Sequence, residues 1–168
     1  MTRIDHIPLP PHAFLDRFSS EAGAHTDCYV TEVPAHVDLE RFIATFFDTW
    51  VFRLERKLLA IFARQSSGQE DVKALAHGAS EKLAMWRLVE RDENQILLRV
   101  GDGPIRSWLM RSDLQAGTQL YFGSALLAVA KDKRGNPSVG FFANALMGFH
   151  RLYSRILLQA AARKLSSA

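Results

Sequence analysis

Few side chains in this sequence are of types that do chemistry, and their spacing decides what they could do. His150 lies four residues after Leu146 and three before Tyr153, which puts it on or beside the apolar stripe of a helical segment. An imidazole there can meet a bound molecule or transfer a proton, and it can equally be a hydrogen-bonded histidine at the edge of a core. Arg106 sits in an apolar strand-like run with Trp108. If it pointed inward it would need an anion or a carboxylate, which makes it a candidate anchor for an acidic ligand. Cys28 is the only cysteine. It adjoins Tyr29 and Val30 with no activating base beside it, so it reads as a buried thiol, not a nucleophile. His25 with Asp27, and His36 with Asp38, pair at spacing two, but neither pair has the third and fourth ligands of a stable zinc site. Gly101-Asp102-Gly103-Pro104 is a turn and not a phosphate loop: no third glycine follows and Pro104 intrudes. No serine stands in a nucleophile-elbow context, no residue is assigned as catalytic, and no cofactor or metal is expected.

The elements that must position these residues follow from composition and periodicity. The 168 residues are 48% apolar and 23% charged, with a net charge of +3. That suits one domain burying about 70% of its unfolded surface, and the charge is too small to argue for nucleic acid. One cysteine allows no internal disulfide. The first 24 residues are irregular, an arm with the apolar clump Phe14-Leu15 and Phe18, and they lack a signal peptide's apolar stretch, which predicts a cytoplasmic location. No segment reads as transmembrane. Cys28 to Val33 reads as a strand stopped by Pro34, and Asp38 as the N-cap of a helical run from Leu39 to Phe62, broken at Asp48-Thr49 into two helices. A short helical stretch falls between Glu70 and Ala79. Lys82 to Glu90, Gln95 to Val100, Ile105 to Arg111 and Thr118 to Lys131 are strands joined by short turns, hence an antiparallel meander. A helix from about Phe142 to Leu165 closes the chain.

This order is α+β, with helices on one side of an antiparallel sheet. Alternation leaves the inward face undecided. Arg106, Trp108 and Met110 share one face of their strand, Ile105, Ser107 and Leu109 the other; Tyr121 and Gly123 oppose Leu120, Phe122 and Ser124. Apolar residues on both faces call for a cover on the outer face, and a homodimer partner is one candidate for it.

The chain resembles the START-like (SRPBCC) helix-grip superfamily, and within it a bacterial family to which no activity is assigned. The matching stretches are Phe14-Leu15 leading to Thr26-Asp27-Cys28-Tyr29-Val30, the segment Trp50 to Leu59, the hairpin Gln95 to Met110, and Phe149-His150-Arg151-Leu152-Tyr153. Where that family's hairpin carries an acidic residue before the glycine, this chain has Arg99-Val100-Gly101. The resemblance implies a curved sheet wrapped around the last helix with a guest cavity between them. On that expectation Trp86, Arg106, Trp108, Tyr121, Phe142, Phe149, His150 and Tyr153 are the candidate ligand-binding residues, and the partner is a hydrophobic or amphipathic small molecule. A cyclase, dehydratase or hydrolase using His150, Arg106 or Tyr121 in the same space is the alternative, as is a noncatalytic protein-interaction module.

Overall fold

The structure, a computed structural model, describes residues 3–49, 52, 68–128, 130–131, 137–138 and 141–167, with side chains described for all of these except 130–131, 137–138 and 141–150. Seven strands, β1 (Asp5–His6), β2 (His25–Val33), β3 (Lys82–Leu83), β4 (Trp86–Arg91), β5 (Gln95–Val100), β6 (Ile105–Leu114) and β7 (Gly117–Leu126), form one antiparallel sheet in the order β1-β2-β7-β6-β5-β4-β3. A two-stranded ribbon, β8 (Ala130–Lys131) with β9 (Pro137–Ser138), follows. The helices are α1 (Leu39–Phe47), α2 (Gln69–Ala76) and α3 (Phe141–Ser166). The α+β class and the meander are therefore as the sequence predicts.

Turn chemistry sets the register. Asp92 Oδ1 accepts from the N–H groups of Asn94 (2.7 Å) and Gln95 (2.8 Å), closing the β4–β5 hairpin with an Asx turn. Gly101, at φ 53°, turns β5 into β6, with Arg99 paired to Asp102 at 3.1 Å. At the β6–β7 turn Gly117 has φ 148°, and a Cβ there would lie 2.1 Å from Val33 O, so only glycine fits. The expected strand from Lys82 to Glu90 is divided: Ala84, with φ 51°, separates β3 from β4. A register shift between Leu88 and Glu90 then leaves Val89 exposed.

Asp38 caps α1 as its sequence position predicts, its carboxylate accepting from the Arg41 N–H at 2.7 Å. The helix ends at Asp48, and the second helix expected up to Phe62 lies outside the described residues, apart from the buried Phe52. At the C-terminus of α2, Arg91 donates to the carbonyls of Leu75 (2.9 Å) and Ala76 (2.6 Å), satisfying groups the helix leaves open. About 39 Å long at 1.5 Å per residue, α3 packs against β2, β7 and α1, burying Ser154, Leu157, Leu158, Ala161, Ala162 and Leu165.

Two apolar layers result, one on each face of the sheet. Tyr29, Val33, Ile96, Leu98, Leu109 and Phe122 face α1 and α3. On the other face Cys28, Val30, Leu97, Trp108, Tyr121 and Ala125 pack under Ala13, Leu15 and Phe18. The cover that the two-faced apolar pattern called for is thus the chain's own N-terminal arm, wound into a 3-10 helix at Phe14–Phe18. No helix among the described residues is long and apolar enough to cross a membrane.

Candidate functional site

Between the inner face of the sheet and the helices lies a cavity of about 320 Å³. Its walls are built from three sources. From α1 come Phe46 and Phe47, neighbours on the apolar face that Asp38 starts in register. The sheet supplies Trp86, Leu98, Ser107, Leu109 and Phe122, and α3 supplies Tyr153 and Leu157. Rings interlock along the wall: Phe52 meets Phe47 edge-on at 4.6 Å and Trp86 at 4.8 Å between centroids, and Phe46 meets Phe122 at 4.8 Å. Ile105, Met85 and Val100 also line the cavity, and since Ile105 is 42% exposed they mark the side that opens to solvent. The oxygen-bearing side chains in the described lining are Ser107 and Tyr153.

Ser107 is the end of a polar row. In the register of the central strands Ser107 stands opposite Ser124, and Ser124 opposite Asp27. Asp27 Oδ1 accepts from both the N–H (3.0 Å) and the hydroxyl (2.7 Å) of Ser124, and both residues are buried. The buried carboxylate is felt nearby. Burial first and Asp27 second push the Cys28 thiol up to about 12, and the same two causes raise the Tyr29 phenol. One strand row thus carries polar groups from the sheet interior to the cavity wall.

Of the residues singled out from sequence, the structure brings Trp86 and Tyr153 together in this cavity. Arg106, Trp108 and Tyr121 do not join them, which corrects the expectation that they line the sheet–helix space. All three lie on the opposite face because their strand parity matches Cys28 and Leu97, not Leu98 and Leu109. Trp108 is fully buried there and donates its Nε1–H to Gln95 Oε1 at 2.8 Å; Tyr121 hydrogen-bonds Gln119. Arg106 donates to Gly103 O (2.8 Å) and Ile105 O (3.1 Å), and its guanidinium lies 5.8 Å from the centre of the Phe18 ring. Burial and neighbouring Arg99 lower its pKa. It fastens a turn and anchors no ligand in the cavity. Phe142, Phe149 and His150 fall within α3, but their side chains lie outside the described residues.

Sequence reasoning missed Phe46, Phe47, Leu98, Ser107, Leu109 and Phe122 as lining. A signal for the correct face was present: Gly123 stands opposite Trp108, and a Cβ on it would come within 2.9 Å of Leu15 Cδ2. A strand glycine beside a tryptophan marks where another segment packs close. Among the described residues no three His, Cys, Asp or Glu side chains converge as metal ligands. No protein-family model, curated protein or solved structure matches the chain.

Proposed function

We propose that this protein binds a compact hydrophobic molecule in the space between sheet and α3, and that the fold is of the helix-grip type. The observation that carries the reading is the cavity itself: about 320 Å³, walled by aromatic and aliphatic side chains, with one hydroxyl-bearing row reaching it. That volume is at the small end of ligand-binding cavities, which are characteristically apolar with a few placed polar groups. A guest of matching size gains dispersion contacts with these walls. The guest that fits is mainly apolar and carries one hydrogen-bonding group, placed to meet Ser107.

The enzyme alternative relied on His150, Arg106 or Tyr121 acting inside the cavity. Arg106 and Tyr121 face the other way, so the binding reading, which needs only an apolar lining and an opening, is better supported. The test is mass spectrometry of an organic extract of protein purified from its own host. A stoichiometric small molecule is expected from the wild type and a much reduced amount from Ser107→Phe and Val100→Phe, which plug the space from two strands. Equal recovery from wild type and both plugged variants, or none from any, refutes the proposal.

A further inference from the structure

The outward side of α3 is basic and apolar where a solvated helix face would carry both signs of charge. After Asp132 the sequence has no acidic residue. Along two turns, Leu152 is 57% exposed and Ile156 36% exposed, one helical turn apart, while Ser154, Leu157, Leu158 and Ala161 on the opposite side are buried. Arg151, Arg155, Arg163 and Lys164, all exposed, surround them. Lys164 is paired with Asp48 at 2.5 Å, and Arg155 donates to Ile4 O at 3.4 Å. Among the described residues no carboxylate pairs with Arg151, Arg155 or Arg163.

We propose that this face of α3 docks on an anionic lipid surface, with Leu152 and Ile156 entering the headgroup region and the arginines meeting lipid phosphates and carboxylates. Charge complementarity names the occupant: a helix with four cations and no acidic side chain, three of those cations without a carboxylate partner among the described residues, matches the basic amphipathic pattern that recognises anionic bilayers. Two isolated aliphatic side chains ringed by arginine suit shallow insertion. A protein interface would call for a packed centre with aromatic anchors, and among the described side chains of this face there is none. The inference rests on the surface of α3 and not on the contents of the cavity.

The experiment is sedimentation of the full chain with vesicles of phosphatidylcholine alone or containing about 30 mol% phosphatidylserine. Partition to the anionic vesicles is expected to be at least about tenfold stronger and to fall away as salt is raised toward about 0.5 M. Arg151→Gln with Arg163→Gln should weaken it by about tenfold or more, and Leu152→Ser with Ile156→Ser by several fold. These four positions are exposed, so circular dichroism of the variants should match the wild type. Equal binding to neutral vesicles, no binding to either, or variants that bind like the wild type would overturn the proposal. Retention on polyglutamate without vesicle binding would assign the face to an acidic protein instead.

Discussion

Gln95 carries more of the outer layer than its type suggests. Its Oε1 accepts from the Phe14 N–H (3.0 Å) and from Trp108 Nε1–H (2.8 Å), while its Nε2 donates to His12 O (3.1 Å) and Asp92 Oδ2 (3.2 Å). One side chain therefore joins the arm, a buried indole and a hairpin turn. Gln95→Leu leaves a buried indole N–H and a backbone N–H without acceptors, and should cost about 2–4 kcal/mol in a urea melt. Cys28 makes a second prediction at this scale. Its folded pKa, about 12, lies above that of an unfolded thiol, so between pH 9 and 12 the folded chain holds a proton that the unfolded chain has released. Stability must then fall as pH rises through that window, and the raised Tyr29 phenol acts in the same direction. Cys28→Ala should flatten the decline, and thiol reagents should leave the native protein unmodified at neutral pH.

At the scale of elements, the arm and the sheet depend on each other. Leu15 is fully buried against Gly123, so Leu15→Ala should lower stability by about 2–5 kcal/mol. Gly123→Ala should also destabilise, because the new methyl meets Asp27 O at 2.7 Å, and backbone cannot step aside as a flexible side chain can. Calorimetric melting of the two variants checks both. The central strands were legible in the sequence because Asp92, Gly101 and Gly117 fix the turns between them, but the run read as one strand from Thr118 to Lys131 ends at Leu126, and Ala130–Lys131 pairs in the separate ribbon. The cap at Asp38 and the last helix were legible for the same reason: local chemistry and the 3.6-residue period act over a few positions. The facing of the sheet was not legible from apolar alternation, since Ile105, Ser107 and Leu109 are no more apolar than Arg106, Trp108 and Met110; Gly123 alone hinted at it. The arm settles it, and the proline-broken pattern of the arm does not itself say which strand face Leu15 and Phe18 will cover.

The whole molecule is organised by a sheet with two apolar faces, one covered by the arm and the other standing off from α1 and α3 around a cavity of about 320 Å³. Trp86 and Tyr153 were among the residues the resemblance implied, but size alone does not separate them from Trp108 and Tyr121, which face the other way. Ser107 could not be found from sequence: a serine in a strand carries no signal until its register with Ser124 and Asp27 is known. A guest that binds only the folded chain should raise its melting temperature, by the equivalent of about 2.7 kcal/mol at a hundredfold excess over Kd. The most direct measurement is a crystal pressurised with xenon, which enters dry apolar cavities and not filled ones. Xenon density between Trp86, Leu109 and Tyr153 is the expected result. An interior closed by its own side chains, or filled with ordered water hydrogen-bonded to the walls, would contradict the account.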